Sequence, residues 1–464
     1  MRLGVVILAA GEGTRMKSHR PKVLHEVAGL PLLEHVLRVA HSLEPERIVL
    51  VLGPETIDPI RERYGDRYLY ALQSRRQGTG HALLQARPLL DGAVDDVIVL
   101  YGADPLLTVE SARQLLALRR SGALGAITTF IAPNPRGYGR ILRDDTGRVI
   151  GIVEERDASE EQRRISEVNQ GVVCYEAAWL WGALQRLTPS PVKGEYYLTD
   201  LVALAVEDRG PGAIEALLLD DPDEALGVND RLDLAHVEAA MRRRILERLM
   251  RSGVTIVDPT STYVEVDVDV GQDTILLPGT ILRRGTRIGA ECTIGPYSLI
   301  EASVIGRRCK VALSVLEHAE MGDESDIGPF SHLRPGAKIG SHVHIGNFGE
   351  VNRSVLADGV KMGHFSYIGD ATVGPGTNIG AGTITANFGD KRAEPDQRKH
   401  RTEIGARVKI GSDTMLVAPV KVGDGAVTGA GAVVTRDVPP GETVVGVPAR
   451  PLRRPDRPEQ QETQ

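Results

Sequence analysis

Short apolar runs alternate with amphipathic stretches along the first half of the chain. Leu3–Leu8, Arg47–Leu52 and Asp96–Leu100 are rich in Val, Ile and Leu, which is typical of strands buried on both faces. Apolar residues recur at helical spacing in 31–42 and 111–120. Strands alternating with helices predict a doubly wound α/β domain, in which ligands bind beyond the carboxyl ends of the parallel strands.

The second half has a different period, because an aliphatic residue followed by glycine returns in steps of about six residues. These pairs begin at Ile339, Ile345, Met362, Ile368, Val373, Ile379, Ile404 and Ile410. A hexapeptide period predicts a left-handed parallel β-helix with the aliphatic residue pointing inward. We expect the glycine to supply a turn conformation that a side chain would resist. The period breaks between Ala381 and Thr402, which predicts a loop with a functional role.

The two patterns predict four segments. Residues 1–229 form the α/β domain, and 252–449 form the β-helix. Between them, 230–251 has apolar residues at helical spacing on a charged background, which predicts a linker helix. The last segment, 450–464, is rich in Pro, Arg, Glu and Gln and is predicted to be a disordered tail.

Composition narrows the functional classes. The 51 glycines and the aromatic content of 4% suit a β-solenoid, and the net charge of −7 argues against a nucleic-acid partner. The three cysteines lack CxxC spacing, which favours a reducing, cytoplasmic setting. The apolar run Leu3–Ala10 is too short for a membrane span, so no membrane association is expected.

The first strand runs into a glycine-rich loop that fits neither common phosphate motif. The dinucleotide fingerprint requires a third glycine where Met16 stands, and the P-loop requires Gly-Lys where Met16 and Lys17 stand. The loop can still turn backbone N–H groups toward an anion, with Arg15 and Lys22 as added positive charge. The alternative is a tight strand–helix turn with solvated basic residues.

The motifs together resemble a known family. Leu8-Ala-Ala-Gly-Glu-Gly-Thr-Arg-Met16 and Pro21-Lys-Val-Leu-His25 resemble sugar-1-phosphate nucleotidyltransferases. The further motifs are Gln77-Gly-Thr-Gly-His81, Tyr138-Gly-Arg140, Ile152-Val-Glu-Glu155, Asn169-Gln-Gly171, Glu195-Tyr-Tyr-Leu-Thr-Asp200 and Gly227-Val-Asn-Asp230. With the hexapeptide half, nearly the whole chain resembles the bifunctional N-acetylglucosamine-1-phosphate uridyltransferase/glucosamine-1-phosphate N-acetyltransferase family.

The resemblance implies a first site that joins UTP to N-acetylglucosamine-1-phosphate with Mg²⁺. It assigns the triphosphate to Arg15 and Lys22, and the metal to Asn229 together with an aspartate. Hard oxygen ligands suit Mg²⁺, which agrees with this assignment. The resemblance and the strand-end positions together give the other substrate-binding candidates: Leu8, Ala9, Ala10, Gly11, Gln73, Gly78, Thr79, Tyr101, Gly102, Gly139, Glu154 and Asn169.

One departure concerns the metal aspartate. The family places it directly after the Tyr-Gly pair, where this chain has Ala103 followed by Asp104. A one-residue shift at a strand end turns a side chain to the other face. Asp104 either reaches the metal through an adjusted backbone or caps a turn before Pro105.

The resemblance also implies a second site, which acetylates glucosamine-1-phosphate with acetyl-CoA. A neutral imidazole can accept the proton of the sugar amine, and His364 has that role in the family pattern. The amino-sugar phosphate is assigned to Arg334, Tyr367 and Asn378, with Asn352 where the family commonly has a phosphate-binding lysine. The acetyl-CoA candidates are Ala381, Asn387, Phe388, Ser412, Ala430 and Arg450. A homotrimer is expected by the same resemblance.

The loop after Asn387 is longer than the family pattern and ends in the basic run Arg398–Arg401. Sugar-phosphate affinity is therefore expected to depend on Arg334 or on this run, because Asn352 carries no charge. Two other functions remain open at this stage. One is a monofunctional sugar-1-phosphate nucleotidyltransferase whose β-helix serves only oligomerisation. The other is a non-catalytic sugar-nucleotide-binding scaffold.

Overall fold

The computed structural model describes residues 1–190, 194–388 and 399–452. The chain divides into two compact units, Met1–Met241 and Arg242–Gln464. A helix at Arg231–Arg251 occupies the segment for which the sequence predicts a linker. Most of the predicted tail, 453–464, lies outside the described residues, whereas Arg450–Pro451 forms a short strand.

Among its described residues, the first unit contains eleven strands and the α-helices that connect them, and its last helix continues past Met241. The strands are β1 Leu3–Ala9, β2 Glu26–Val27, β3 Leu30–Pro31, β4 Arg47–Leu52, β5 Leu69–Leu72, β6 Asp96–Tyr101, β7 Gly125–Ile131, β8 Arg140–Arg143, β9 Val149–Val153, β10 Glu167–Glu176 and β11 Ile214–Leu218. The helices are α1 Leu32–Ser42, α2 Pro54–Tyr64, α3 Thr79–Leu84, α4 Arg87–Leu90, α5 Val109–Arg120, α6 Ala177–Arg186, α7 Asp200–Arg209 and α8 Arg231–Arg251. Short 3-10 helices lie at Thr14–Met16, Lys22–Leu24, Gln162–Arg164 and Pro222–Ala225.

The main sheet has the strand order β11-β7-β10-β6-β1-β4-β5. Strand β1 pairs in parallel with β4 on one side and with β6 on the other. The strand order therefore reverses at β1 and β6, where α/β sheets open a crevice for ligands. The α/β prediction is confirmed, with one addition: β10 runs antiparallel to β6 and β7, so the sheet is mixed.

The second unit is a three-sided solenoid of short strands, as the hexapeptide period predicts, and all of them pair in parallel except the terminal Arg450–Pro451. The first sheet contains Thr255–Ile256, Ile275–Leu276, Thr293–Ile294, Lys310–Val311, Asp326–Ile327, His344–Ile345, Lys361–Met362, Asn378–Ile379, Lys409–Ile410, Val427–Thr428, Thr443–Val445 and Arg450–Pro451. The second contains Tyr263–Val264, Ile281–Leu282, Leu299–Glu301, Val315–Glu317, His332–Leu333, Gly349–Asn352, Ser366–Gly369, Ile384–Ala386, Met415–Val417 and Val433–Val434. The third contains Asp269–Val270, Arg287–Ile288, Val304–Ile305, Glu320–Met321, Lys338–Ile339, Val355–Leu356, Ala371–Val373, Thr402–Ile404 and Val420–Val422.

The aliphatic residues of the repeat fill the interior of the solenoid, since all eight predicted positions expose 5% or less of their surface. The expected reason for the glycines that follow them is wrong. Gly340 and Gly346 do not have positive φ angles. A Cβ added at Gly346 would overlap the carbonyl oxygen of Gly363 in the next coil. Except at Gly363 and Gly369, these glycines are needed for the close approach of neighbouring coils rather than for a turn.

The predicted interruption is also present. Asn378 pairs with Lys409 across 31 positions, whereas Lys361 pairs with Asn378 across 17. The additional residues follow Asn387, and part of them lies in the undescribed range 389–398. The base of this loop is closed by an antiparallel bridge between Phe388 and Lys399.

Candidate active sites

A cavity of about 380 Å³, the first cavity, opens at the carboxyl ends of β1 and β6. Most of the residues predicted for the nucleotide lie in its wall. They are Leu8, Ala9, Ala10, Gly11, Lys22, Gln73, Gly78, Thr79, Tyr101, Asp104 and Asn229. The residues predicted at the strand ends therefore line one cavity, which is formed within the first unit.

A second cavity of about 630 Å³ adjoins the first. The three residues predicted to bind the sugar, Gly139, Glu154 and Asn169, line it. Asn169 Oδ1 is buried and has no hydrogen-bond partner among the described residues, so it can still accept from a ligand. The residues that line both cavities are Thr79, Tyr101, Asp104, Tyr197 and Asn229. Two ligands in these cavities would meet at this shared wall.

Asp104 lies in the shared wall despite its one-residue shift. A Cβ added at Gly227 would come within 2.5 Å of Asp104 Oδ1, so this glycine leaves room for the carboxylate. Among the described residues, no backbone N–H donates to that carboxylate, which speaks against a turn cap. Burial raises the pKa of Asp104 to about 7, and the positive charge of Lys22 opposes the shift.

The donor set at this wall fits a magnesium ion that is bound together with phosphates. Asp104 and Asn229 supply oxygen atoms, which are the ligands Mg²⁺ prefers. Within the described ranges, no cluster of three or more His, Cys, Asp or Glu forms a complete metal cage. Mg²⁺ ordinarily takes only one or two carboxylates from a protein and completes its shell with phosphate oxygens and water.

The two predicted cations lie close to this wall. Lys22 lines the first cavity, and burial lowers the pKa of its ammonium group, whereas the negative charge of Asp104 opposes that effect. Arg15 is not in the wall of either cavity. Its guanidinium donates to Asn229 Oδ1 at 3.1 Å, and Asn229 N donates to Asp233 Oδ2 at 2.9 Å.

The conformation of the loop between β5 and α3 requires a glycine at position 78. Gly78 has a φ of 101°, and a Cβ there would overlap the carbonyl oxygen of Tyr196. Thr79 Oγ1 accepts from Leu198 N at 3.0 Å.

Gly102 was predicted to bind substrate, but it is not in the wall of either cavity. Its N–H donates to Leu8 O at 3.0 Å, which joins the ends of β1 and β6.

Several residues of the site have no role predicted from the sequence. Tyr138 and Asp233 line the second cavity, and Glu195 lines the first. Arg76 also lines the first cavity, where its Nε donates to Ala10 O at 2.9 Å. The run of two arginines before Gln77 was the available signal for Arg76.

The predicted residues of the acetyl-transfer site lie on neighbouring coils of the second unit. His364 is exposed in the turn between the first and second sheets. Tyr367 follows on the second sheet and pairs in register with Glu350 of the preceding coil. Glu350 Oε1 accepts from Arg334 Nη1 at 3.0 Å. Asn378 is exposed on the first sheet.

Asn352, which stands where the family commonly has a phosphate-binding lysine, is largely buried. It exposes only 5% of its surface, and its carbonyl accepts from Asp370 N at 3.0 Å. The neighbouring Arg353 donates to both carboxylate oxygens of Asp370, at 2.8 and 2.9 Å. The positive charge nearest to Asn352 is therefore paired within the protein. Asn352 is the last residue of the strand Gly349–Asn352.

The residues predicted for acetyl-CoA are spread over successive coils. Asn387 is buried, and its amide donates to Asp370. Phe388 is 62% exposed, with Lys399 Nζ 4.8 Å from its ring centroid. Ala381 O accepts from Asp413 N, and Ser412 O accepts from Gly431 N, so Ala381, Ser412 and Ala430 follow one another along one edge. Arg450 is exposed on the terminal strand.

Fold and sites together define a nucleotidyltransferase domain followed by a left-handed hexapeptide β-helix. Residues 5–171 match the MobA-like NTP transferase domain, and 401–436 match the bacterial transferase hexapeptide, described as six repeats. The chain is 46% identical over 441 residues to the bifunctional protein GlmU of Heliobacterium modesticaldum, which covers 95% of this chain and 94% of the relative. It is 45% identical to that of Trichlorobacter lovleyi (94% of each chain) and 42% identical to that of Brevibacillus brevis (94% and 93%). The chain belongs to the bifunctional GlmU family.

No helix among residues 1–190, 194–388 and 399–452 is both long and apolar enough to cross a lipid bilayer.

Proposed function

We propose that this chain makes UDP-N-acetylglucosamine in two steps at two separate sites. The second unit acetylates glucosamine-1-phosphate with acetyl-CoA. The first unit then joins the N-acetylglucosamine-1-phosphate to UMP from UTP. The observation that carries this proposal is the pair of adjoining cavities, which share Asp104 and Asn229 in their common wall. Family membership supports both activities.

In the uridyl transfer, UTP binds in the first cavity and the sugar phosphate in the second. Glu154 and Asn169 hold the sugar, and Asn169 Oδ1 is free to accept a hydroxyl hydrogen. A phosphate oxygen of the sugar forms a bond to the α-phosphorus of UTP, and the bond from that phosphorus to the leaving pyrophosphate oxygen breaks. Lys22 and Arg15 offset the negative charge that builds up between the two anions.

Asp104 and Asn229 would hold Mg²⁺ at the shared wall, where the ion neutralises phosphate charge when bound. The pKa of Asp104 is raised in the protein without a bound metal ion. Because its ordinary pKa is 3.8 and burial raises it to about 7, the carboxyl holds its proton more tightly in the folded protein. A cation at the shared wall would favour the ionised form.

In the acetyl transfer, the sugar amine attacks the thioester carbonyl of acetyl-CoA. The carbon–nitrogen bond forms, the carbon–sulfur bond breaks and CoA leaves as the thiol. His364 accepts the proton that the amine loses. Arg334, Tyr367 and Asn378 hold the amino-sugar phosphate, while Ala381, Asn387, Phe388, Ser412, Ala430 and Arg450 are the acetyl-CoA candidates. Asn352 carries no charge and Arg353 is paired with the largely buried Asp370. Phosphate binding therefore depends on Arg334, which is paired with the more exposed Glu350, or on the basic run Arg398–Arg401 of the sequence.

The proposal includes a homotrimer and a cytoplasmic location. Hexapeptide acyltransferases form acyl-CoA sites between subunits, and this expectation agrees with the exposure of His364. Nucleotide and acyl-CoA substrates support a cytoplasmic setting. The three cysteines, all free, are compatible with a reducing compartment.

The test is one incubation with glucosamine-1-phosphate, acetyl-CoA, UTP and Mg²⁺, in which CoA thiol and pyrophosphate are both followed. We expect both products in equal amounts. Pyrophosphate formed only when N-acetylglucosamine-1-phosphate is supplied, without CoA release, would indicate a monofunctional nucleotidyltransferase. UTP binding without either product would indicate a scaffold.

A further inference from the structure

Asp370 lies where the loop after Asn387 leaves and rejoins the solenoid, and it has no role in the mechanism above. On the outgoing side of the loop, the side-chain amide of Asn387 donates to Asp370 Oδ2. On the returning side, Thr402 N donates to the carbonyl oxygen of Asp370 at 3.2 Å. Asp370 N in turn donates to Asn352 O of the preceding coil at 3.0 Å. Asp370 therefore connects both ends of the loop to that coil.

Arg353 holds the carboxylate of Asp370 in place. Its Nε and Nη2 atoms donate to the two carboxylate oxygens at 2.8 and 2.9 Å. Such a bidentate pair fixes the plane of the carboxylate. The Asp370 side chain is only 13% exposed, and the hydrogen bonds from Arg353 hold the pKa of its carboxyl below the usual value, although burial opposes this effect. Asp370 is therefore an ionised acceptor with a fixed orientation.

The carboxylate of Asp370 determines the direction of the Asn387 amide. Because a carboxylate can only accept, the atom of Asn387 that faces it must be the amide nitrogen. The backbone of Asn387 is held as well, since His400 N donates to its carbonyl oxygen at 2.9 Å. Within the described chain no donor contacts Asn387 Oδ1, which is not sealed from solvent. This oxygen can therefore accept a hydrogen bond from a ligand.

An amide N–H of acetyl-CoA fits this oxygen. The pantetheine arm of acetyl-CoA alternates methylene and amide groups, so it suits a surface that offers an apolar face next to a hydrogen-bond acceptor. Phe388 directly follows Asn387 and exposes 62% of its surface. Its ring can cover the methylene groups of the arm while Asn387 Oδ1 accepts from an amide N–H.

We propose that Asp370 is a positioning residue for acetyl transfer, which fixes the Asn387 amide with its oxygen toward the pantetheine arm of acetyl-CoA. The proposal rests on the proposed function only in that acetyl-CoA binds beside Asn387. Asp370 acts through Asn387 and not by contact with the substrate. Arg353 contributes by holding the carboxylate.

The test is a double-mutant cycle on the full chain. Asp370→Gly removes the carboxylate without straining the backbone, because the φ of 51° at this position favours glycine. Asp370→Asn is the conservative variant, which keeps one acceptor oxygen. Asn387→Ala and the double variant with Asp370→Gly complete the cycle. Glu301→Gln is the matched control, because Glu301 accepts from Arg283 at 2.9 Å between two other coils.

Titration calorimetry gives the affinity for acetyl-CoA, and CoA thiol release gives kcat and KM. We expect acetyl-CoA affinity to fall about tenfold in Asp370→Gly, the size of one lost hydrogen bond, and to fall less in Asp370→Asn. In the Asn387→Ala background, Asp370→Gly should change this affinity less than about twofold. The KM for glucosamine-1-phosphate should stay at the wild-type value, as should the acetyl-CoA affinity of Glu301→Gln.

The inference would be overturned if the effects of Asp370→Gly and Asn387→Ala multiplied in the double variant, or if Asp370→Gly kept the wild-type affinity for acetyl-CoA. A rise only in the KM for glucosamine-1-phosphate would also overturn it, since Asn387 would then face the sugar. A wild type that binds acetyl-CoA but releases no CoA thiol would contradict only the proposed function, because the affinities still complete the cycle. No binding of acetyl-CoA by the wild type would overturn both.

Discussion

The two candidate sites differ in where their residues lie: those of the first line a cavity, and those of the second lie on an exposed surface. In the α/β unit, the ends of β1 and β6 form adjoining cavities, and the carboxyl of Asp104 is desolvated there. In the β-helix unit, His364 is exposed on the outer surface of a solenoid whose interior is filled with aliphatic residues. A sheet that reverses its strand order has a crevice of its own, whereas a closed solenoid offers only its surface. The first candidate site therefore lies in a crevice of one unit, whereas the residues of the second lie on an exposed surface.

The largest effect is expected from Asp104→Ala, because it removes the carboxylate from the shared wall. Uridyl transfer should fall at least about a thousandfold, since charge neutralisation between two anions supplies much of the rate. The measurement is pyrophosphate release from UTP and N-acetylglucosamine-1-phosphate with Mg²⁺. Acetyl transfer by the same variant is the internal control and should be unchanged. Uridyl transfer near the wild-type rate would rule out the metal role of Asp104.

The next effect is the loss of acetyl transfer in His364→Ala. Removal of a general base lowers the rate by about 10²–10⁴-fold. CoA thiol release from acetyl-CoA and glucosamine-1-phosphate gives this rate, and pyrophosphate release should stay at the wild-type level. If both activities fell together, the comparison of two independent sites would fail. Unchanged CoA release would remove His364 from the mechanism.

A smaller effect concerns the packing of the coils. Gly346→Ala should destabilise the β-helix unit by ~1–3 kcal/mol, because the added methyl group overlaps the carbonyl oxygen of Gly363. Gly363→Ala is the matched control, since the nearest atom to its Cβ would be 3.8 Å away. Denaturant unfolding of both variants tests the difference. Equal stability of the two would contradict the close-approach account of the glycine repeat.

The smallest effect is a pH dependence of stability in the absence of metal. The folded-state pKa of Asp104, about 7, lies above the ordinary value of 3.8, so the folded protein binds this proton more tightly. Stability from this group is therefore present at acidic pH and is lost as the pH rises toward 7. Asp104→Asn lacks this loss. The measurement is the melting temperature of Asp104→Asn minus that of the wild type, in EDTA. This difference should be larger at pH 8 than at pH 5. An equal difference at both pH values would contradict the raised pKa of Asp104.

The repeating features of the fold could be predicted from the sequence, whereas the orientations of individual side chains could not. Repeated aliphatic residues identified the solenoid because every coil buries the same position. The reason for glycine could not be predicted, because the close contact is with a residue of the next coil, as between Gly346 and Gly363. The direction of the Asp104 carboxylate likewise depends on Gly227, far away along the chain. The burial of Asn352 was not predicted, because it departs from the alternation of exposed and buried positions along the strand Gly349–Asn352.

The site in the α/β unit could be predicted where residues lie at the ends of strands, as Gly11 and Tyr101 do. Arg76 and Tyr138 come from loops whose return to the cavity depends on long-range contacts. Arg76, for example, donates to the carbonyl of Ala10, on a different loop. Such contacts have no local pattern in a sequence.

Complementation between the two single-site variants tests the central claim most directly. Asp104→Ala should still make N-acetylglucosamine-1-phosphate, and His364→Ala should still convert it to UDP-N-acetylglucosamine. The measurement is UDP-N-acetylglucosamine formed from glucosamine-1-phosphate, acetyl-CoA, UTP and Mg²⁺ by each variant alone and by an equal mixture. We predict little product from either variant and substantial product from the mixture. A mixture no more active than its components would contradict two separate sites joined by a diffusing intermediate.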